Sequence, residues 1–459
     1  MNKGQYVRKY LYVLILLLQV FLAFGFVLFM DVQIIVNWLL TFWDCVWSGS
    51  IREYAQALIE AKNPSNYNIL LNIIMAMGMF PIYAIDRLMK LGISIDAFCI
   101  WFKALILLAN LGTEYYVIKI AEHYNAYEKT KIIMFYLTSV FLLYGSLALG
   151  QIDCFGNFFA VLAFWEWIRK KHGRMCLWMS LAIMFKGLAA FLLIPIFLLE
   201  FGKSYLQIIK YGMIFLIMPL VSMIFGKYIF LGYGAMVSEV NHTSYDFYER
   251  IFENSLWNTS IVVVFLVCLS FYLVWKSHQG NVVQEDYIFY PLLMFCGFIT
   301  FVVWHPQWMI YCTLFLAIAL TKIEERYAIP LGFLLNSSYI LFIATRWVTY
   351  GSNGCIDNMM VQHSLMAKLI HRVSGKVWLE THIIDYLPQY TMEISVSVFM
   401  GCLFIVLFLL WKKKTSPSQE VVSYSRYIPL YNEVMVIIQL LPIIGFIVVS
   451  YALYLKNLV

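Results

Sequence analysis

The sequence predicts an all-α, polytopic integral membrane protein, and three observations support this fold class. Of the 459 residues, 62% are hydrophobic and only 13% are charged, and the mean hydropathy is +0.78. Soluble domains are close to half apolar and a quarter charged, so this composition is typical of chains that cross a bilayer repeatedly. Apolar segments recur along the whole chain, and short connectors between them carry most of the loop lysines and arginines.

The first element is predicted to be an uncleaved signal anchor. Lys3, Arg8 and Lys9 precede about 20 apolar residues, enough to cross the hydrocarbon core, and no small-residue cleavage site follows. The remaining segments predict about 11–13 transmembrane helices in total, with 175–201 as a possible hairpin of two half-spans. They lie roughly at 97–118, 132–149, 155–168, 175–186, 187–201, 206–225, 261–275, 287–304, 308–321, 328–345, 391–411 and 432–455.

Six basic connectors orient these segments, at 119–131, 169–174, 202–204, 276–279, 322–326 and 411–415. By the positive-inside rule all six face the cytoplasm with the amino terminus, provided that residues 67–90 do not cross the membrane. Pro81 and a charged end favour an interfacial or re-entrant helix for that stretch, within a first outer loop of residues 31–96. The other outer pieces are then the GQID turn after 149, the loop 226–260, the HPQW turn at 305–308 and the loop 346–390.

Several functional classes have no support in the sequence. The net charge of +6 follows from the cytoplasmic connectors and is not typical of a nucleic-acid-binding surface. The nine cysteines form no CxxC pair and lie mostly in apolar runs, so they predict small buried side chains and no metal site. No P-loop, Rossmann glycine motif, HExxH or GxSxG is present, and we therefore expect no bound cofactor.

Two carboxylates of the first outer loop are candidate catalytic bases. Asp31 follows directly on the first span, where partial desolvation raises the basicity of a carboxylate that can still be reached from outside. Such a group can take a proton from a sugar hydroxyl; the alternative is that Asp31 only ends the helix at the water line. Asp44, in FWDCVW, is the second candidate, and its alternative is a solvated face of an interfacial helix.

Gln151 and Asp153 interrupt an apolar stretch in SLALGQIDCFGNFF, between the end of one span and the start of the next. The amide offers two donors and an acceptor, and the carboxylate offers two acceptors, so together they can bind sugar hydroxyls. The alternative interpretation makes Asp153 the N-cap of the apolar helix that follows.

Four further polar residues are candidates for substrate binding. His305 and Gln307 lie in FVVWHPQWMIYC, where Pro306 breaks the helix and an imidazole can donate to a phosphate oxygen; an interfacial anchor is the alternative. Lys186 lies between two short apolar segments, and Arg346 follows LFIAT at the outer boundary, where its planar fork can pair with phosphate. Snorkelling of the long side chain is the alternative for both.

In this order the motifs resemble the GT-C superfamily, the multi-spanning glycosyltransferases that use polyprenyl-phosphate-linked sugars. Asp31 is followed by Trp38, YN stands at 67–68, GQID stands at 150–153, and FKGLAAFLLIPIFLL contains Lys186. WHPQWMIYC is similar to the late His-Pro motif of bacterial members and of mannosyltransferases. The chain has Gly187 after the lysine and YNIL in place of the more common prolines.

The resemblance implies a GT-C fold, with a catalytic module at 1–325 and C-terminal transmembrane helices at 326–459. It implies an inverting hexosyltransferase of the cell membrane, mannosyltransferase-like, whose active site faces the extracytoplasmic side. Asp31 would be the base, His305 would contact the donor phosphate, and Gln151 and Asp153 would shape the site. Donor and acceptor would be a polyprenyl-phosphate sugar and a lipid-linked or cell-surface glycan. A transporter of lipid-linked glycans or polysaccharide, and a glycan polymerase, are the alternatives.

Overall fold

The computed structural model describes residues 3–26, 29–65, 67–244, 255–256, 259–302, 305–349, 364, 390–415 and 428–456. Most of this part is helical, as the sequence predicts, and its one sheet is an antiparallel pair of two-residue strands, Ser255–Leu256 (β1) and Thr259–Ser260 (β2). The side chains of Asp31 and Arg346 lie outside the described residues, although the backbone of each lies in a helix.

The first part of the chain forms helices α1 to α10. Their bounds are Lys3–Gly25 (α1), Phe29–Trp47 (α2), Tyr54–Glu60 (α3), Ile69–Met89 (α4), Ile95–Ala121 (α5), Ala126–Leu137 (α6), Val140–Leu142 (α7), Asp153–Ile168 (α8), His172–Phe185 (α9) and Ala190–Phe201 (α10). A 3₁₀ turn at Ile51–Glu53 precedes α3, a π-helical turn at Leu143–Ala148 continues α7, and a 3₁₀ turn at Gly187–Ala189 leads into α10.

The second part forms helices α11 to α19. Their bounds are Tyr205–Phe215 (α11), Ile217–Ile224 (α12), Tyr233–Ser244 (α13), Ile261–His278 (α14), Asp286–Phe301 (α15), Thr313–Lys322 (α16), Glu325–Thr349 (α17), Thr391–Thr415 (α18) and Ile428–Lys456 (α19). A π-helical turn at Phe225–Ile229 follows α12, and a 3₁₀ turn at Pro306–Ile310 precedes α16. Each apolar segment predicted from the sequence corresponds to helical structure.

The helices have the length and composition of a multi-pass membrane protein. In the described part, eight helical stretches are long and apolar enough to cross a membrane, and five more are apolar but shorter. Large apolar side chains are exposed on the outer helices, as expected of a surface that contacts lipid, for example Leu206, Met213, Met223, Ile394 and Phe408.

The basic connectors meet at one end of the bundle, which we call the basic end. Lys322 donates to Glu128 at 2.7 Å, and Lys413 donates to the carbonyl of Lys322 at 2.8 Å, so three connectors are in contact. Two clusters of ion pairs, around Asp286 and Glu200, add the connectors 276–279 and 169–174. Gly202 of the sixth connector lies against Ser277. At this end a hydrogen bond from Lys119 holds the pKa of Glu122 below its usual range. The six connectors therefore meet at one end of the bundle, as the sequence led us to expect, while the side of the membrane that this end faces stays a prediction.

The turn containing Gly150 lies at the opposite end of the bundle, which we call the GQID end. Val32 from α2 and Lys103 from α5 both lie against this turn, because a Cβ on Gly150 would be 3.1 Å from Val32 Cγ2 and 2.8 Å from Lys103 Cδ. The chain thus leaves the bundle after α1 and returns with α5 at the same end. Helix α4 is long and apolar enough to cross, so the expectation that residues 67–90 stay outside the membrane remains a prediction.

Helices α9 and α10, which run between the basic end and the GQID end, are shorter than a full membrane span. Helix α9 has 14 residues and therefore rises about 21 Å, less than a hydrocarbon core of about 30 Å. Helix α10 returns to the basic end, where the rings of His172 and Phe201 lie 5.2 Å apart, so α9 and α10 form the predicted hairpin with Lys186 at its apex.

The helices after residue 325 pack directly on those before it. Asn336 of α17 donates to the carbonyl of Thr138 at 3.3 Å, and Tyr339 donates to the carbonyl of Pro306 at 2.7 Å. The predicted division of the chain at 325/326 stays a prediction.

Candidate functional site

Gly150 allows the GQID turn to pack closely on its neighbours. Its φ of +76° lies in the left-handed region that favours glycine, and a side chain there would collide with Lys103 and Val32. The turn buries Gln151 and Asp153, which are 6% and 2% exposed. Since Val32 lies against the same turn, the backbone of Asp31 is adjacent to it; the Asp31 side chain lies outside the described residues.

Asp153 is a buried carboxylate whose oxygens have no hydrogen-bond partner among the described residues. It is the first residue of α8, and the residue at the N-cap position is Ile152, which makes no side-chain cap bond. The alternative interpretation of Asp153 as an N-cap is therefore wrong. Lys186 and the hydroxyl of Tyr311 both lie within electrostatic range of this carboxyl group.

Lys186 stands at the apex of the α9–α10 hairpin, where the backbone becomes extended between two helices (φ −153°, ψ 123°). Its ammonium group lies 5.6 Å from the centre of the Tyr67 ring, a cation–π distance, and the side chain is half-buried. The loop before α4 therefore meets the hairpin apex, as the order of the sequence motifs led us to expect.

The HPQW turn, residues 305–308, is the second segment that contributes polar groups to this region, after the GQID turn. His305 precedes the 3₁₀ turn, and its ring lies 5.3 Å from that of Trp308. Three atoms that are buried here have no hydrogen-bond partner in the described part: Gln307 Oε1, Trp308 Nε1 and Tyr311 Oη.

The two turns meet in the interior of the bundle. A Cβ on Gly156, one helical turn after Asp153, would collide with Tyr311 Oη. A Cβ on Gly145, in the π-helical turn before GQID, would lie 3.5 Å from Gln307 Cα. Both glycines therefore let the HPQW turn approach the GQID turn, and Tyr311 lies within electrostatic range of Asp153. We group Asp153 with Gln307, Trp308 and Tyr311 as one cluster because the last three belong to the turn that makes this contact.

This cluster differs from other buried polar groups of the described part. Gln19, Asn72 and Asn110 each have an unpartnered oxygen, but each donates a hydrogen bond through its amide nitrogen. The remaining unpartnered atoms belong to serines, to Asn157, whose amide nitrogen donates weakly, and to carboxylates that form ion pairs. Asp153, Trp308 and Tyr311 make no side-chain hydrogen bond within the described residues.

A groove of about 520 Å³ opens beside the cluster. Its lining includes Asn68, Met184, Ser222, Lys227 and Tyr233. Asn68 follows Tyr67, and Met184 stands two residues before Lys186, so the groove is lined by sequence neighbours of both residues. Volumes of 300–1,000 Å³ are usual for sites that bury most of a small ligand. On the outer side, α12 presents exposed apolar side chains to the membrane.

Lys103 is a member of this region that sequence reasoning missed. Its side chain is fully buried, and its ammonium group donates to the carbonyls of Leu147 and Ala148, the latter at 3.0 Å. It thereby fixes the carbonyl end of the helix that leads into GQID. The signal was present, since Lys103 is a lone charge in the apolar segment 97–112.

Two other candidates are not part of the described cluster. Asp44 forms an ion pair with Arg87 and accepts from Tyr83 at 2.8 Å, and its side chain is 47% exposed. It stands 13 residues after Asp31 on one helix, or about 20 Å away, and the ion pair favours the alternative of a solvated face. The side chain of Arg346, the other candidate, is not among those that the structure describes.

Among the described residues, no group of three His, Cys, Asp or Glu side chains is arranged to hold a metal ion. The chain matches no protein-family model, and no curated protein is significantly similar to it.

Proposed function

We propose that this membrane protein is a glycosyltransferase of the GT-C type. It would transfer a hexose from a polyprenyl-phosphate donor to a lipid-linked or cell-surface glycan, at the GQID end and on the extracytoplasmic face of the cell membrane. The observation that carries the proposal is the cluster of buried, unpartnered polar atoms on Asp153, Gln307, Trp308 and Tyr311.

The mixture of donors and acceptors in this cluster fits a sugar. Buried polar groups are nearly always hydrogen-bonded, so unpartnered ones in a cluster favour a ligand that completes them. Each sugar hydroxyl can donate and accept: Asp153 and Gln307 offer acceptors, and Trp308 and Tyr311 offer donors. The aromatic rings of Trp308 and Tyr311 supply flat apolar surface for the faces of a pyranose ring.

The groove supports a substrate carried on a lipid. Its lining includes Met184, two residues before Lys186, and it is bordered by α12, whose exposed Leu220 and Met223 suit contact with an isoprenoid chain. Lys186 and His305 are the cationic and hydrogen-bonding groups that would hold a phosphate at the junction of chain and sugar.

A single displacement is the simplest reaction for these residues. Asp31 would take the proton of an acceptor hydroxyl, whose oxygen would form a bond to the anomeric carbon while the bond to the phosphate oxygen breaks. Polyprenyl phosphate would leave with its negative charge stabilised by His305 and Arg346. Positioning and base catalysis can account for such a reaction without a bound cofactor. Inversion at the anomeric carbon follows, and NMR of donor and product linkages would detect it.

In vitro transfer from a panel of polyprenyl-phosphate sugars tests the proposal. Loss of a general base costs roughly 10²–10⁴-fold, so we expect a decrease of this size for Asp31→Asn. Asp44→Asn is the matched control, because it removes a carboxylate of the same loop that is already ion-paired, and it should stay near wild type. Activity of both variants near wild type would remove Asp31 as the base, and no transfer from any donor would remove the proposal.

Transport of a lipid-linked glycan is the second candidate function. The observation in its favour is Lys186 at the apex of two short helices, because broken helices with an ionisable residue are typical of transporter sites. Lipid extracts from a deletion strain separate the two: a transferase defect leaves a glycan one sugar short, and a transport defect leaves a finished glycan inside. A polymerase would leave complete units that are not joined.

A further inference from the structure

Glu114 is an acidic residue within the membrane-spanning bundle and away from the candidate site. It lies on α5, in a stretch long and apolar enough to cross the membrane, on the same helix face as Lys103 and Asn110. Its side chain is half-buried, and the neighbouring Leu108 and Tyr115 are 63% and 55% exposed, so Glu114 lies at the boundary between bundle and lipid.

The partner of Glu114 is an amide and not a cation. Gln19 of α1, which is 1% exposed, donates to the carboxyl group through its amide nitrogen. Among the described residues, no lysine, arginine or histidine forms an ion pair with Glu114, and the titratable group that faces it from α6 is the hydroxyl of Tyr136. An isolated carboxylate is very unfavourable in such surroundings.

The unpartnered oxygen of Gln19 offers an acceptor for a proton on Glu114. Gln19 Oε1 is buried and has no hydrogen-bond partner in the described part of the chain. An ionised carboxylate can only accept, and it would leave this oxygen unpaired. A neutral carboxylic acid donates its O–H to Gln19 Oε1 while accepting from the amide nitrogen, which completes a cyclic acid–amide pair.

We propose that Glu114 is a proton-binding site within the membrane, where it is held as a neutral acid by Gln19 and remains reachable from the lipid. The acid–amide pair joins α1 to α5, the two helices that bracket the first outer loop. This proposal does not depend on the glycosyltransferase reaction.

Dicyclohexylcarbodiimide tests the site, because it partitions into lipid and reacts with protonated carboxyl groups. The acid adds across a C=N bond of the reagent: its proton goes to nitrogen, its oxygen bonds to carbon, and the acyl group then migrates to nitrogen as a stable N-acylurea. We expect peptide mass spectrometry of the full-length protein in liposomes to find one added carbodiimide on Glu114. A cationic, water-soluble carbodiimide should instead favour exposed carboxylates such as Glu60.

Two variants test whether Glu114 is a neutral acid or an ionised carboxylate. Glu114→Gln should remove the label and leave the unfolding temperature unchanged, because an amide keeps both hydrogen bonds to Gln19. Gln19→Lys supplies a cation that stabilises the carboxylate, so labelling should fall several-fold. The proposal is overturned if folded wild-type protein is unlabelled at Glu114, or if the water-soluble reagent modifies it as fast as Glu60. Marked destabilisation by Glu114→Gln would also contradict it.

Discussion

Asp286 and Asp153 are the first residues of helices α15 and α8, and both are buried, at 0% and 2% exposure. At the basic end, Asp286 pairs with Lys276 at 3.2 Å and with Lys414, and it accepts from the backbone N–H of Val283. At the GQID end, Asp153 has no hydrogen-bond partner among the described residues. The same residue type at the same helical position is thus fully paired at one end of the bundle and unpaired at the other.

This difference distinguishes a buried carboxylate that holds helices together from one that is available to a ligand. A buried ion pair fixes helices relative to one another, and removing one partner leaves an uncompensated charge. A buried carboxylate without partners costs stability and persists most readily where a ligand completes it. Unpaired polar atoms are therefore a better guide to a site in this molecule than the number of its charges.

The largest expected effect is on stability, from replacing each of the two aspartates by asparagine. Asp286→Asn leaves two lysines, 12% and 16% exposed, without their counter-charge, and should destabilise the protein by about 3–5 kcal/mol. Asp153→Asn should change the free energy of unfolding much less, since it loses no observed hydrogen bond and only the longer-range attraction to Lys186. Unfolding in detergent, followed by circular dichroism, measures both, and equal losses would remove the contrast.

The Asp153→Asn variant should instead lose activity. Hydrogen bonds to charged groups contribute about 1.5–3 kcal/mol each, so losing one to the sugar should lower kcat/KM roughly 10–100-fold. The measurement is transfer from the polyprenyl-phosphate donor identified in the panel. Normal turnover by this variant would place the sugar elsewhere.

A smaller loss of stability is expected from a substitution at the contact between the GQID and HPQW turns. A methyl group in Gly156→Ala would collide with the Tyr311 hydroxyl, and overpacking of this kind costs about 1–3 kcal/mol. Combining it with Tyr311→Phe should restore part of the loss, since the colliding oxygen is gone while Phe185 Cβ and the ring carbon Cζ of residue 311 remain at 3.1 Å. Gly212→Ala is the control, because a Cβ there meets nothing within 4 Å. No recovery in the double variant would contradict the contact.

The smallest effect on the protein is expected from single-cysteine labelling, which tests which side of the membrane each end of the bundle faces. Ser48 and Gln279 are exposed, the former in the predicted first outer loop and the latter in a basic connector. Single cysteines at these positions, in a cysteine-free background, should react with a membrane-impermeant reagent from opposite sides, with position 48 outside. Labelling of both from one side would refute the orientation.

The sequence was sufficient for the helices and for the grouping of the connectors, because hydropathy and basic residues follow directly from the bilayer. It also brought together Asp153, Lys186 and the HPQW turn, through the order of polar interruptions. It could not show that Asp44 is ion-paired, since Arg87 is 43 residues away in the chain and becomes its neighbour only when α2 and α4 pack. The roles of Lys103 and Tyr311 depend in the same way on contacts between distant segments.

The sequence also could not show which glycines are required for packing. Gly150 and Gly156 are ordinary in the sequence, yet each permits an approach that a Cβ would prevent. A single chain cannot reveal this requirement, because it depends on what packs against the glycine and not on its neighbours in sequence.

The shortness of the α9–α10 hairpin also determines how a substrate arrives. Its apex is about 21 Å from the basic end, so with the basic end at one membrane surface Lys186 would lie below the plane of the opposite phospholipid headgroups. A lipid-borne sugar would therefore diffuse to the groove within the leaflet, in two dimensions. Its encounter rate would follow the mole fraction of the donor among the membrane lipids, and diluting the liposomes with buffer would not slow the reaction.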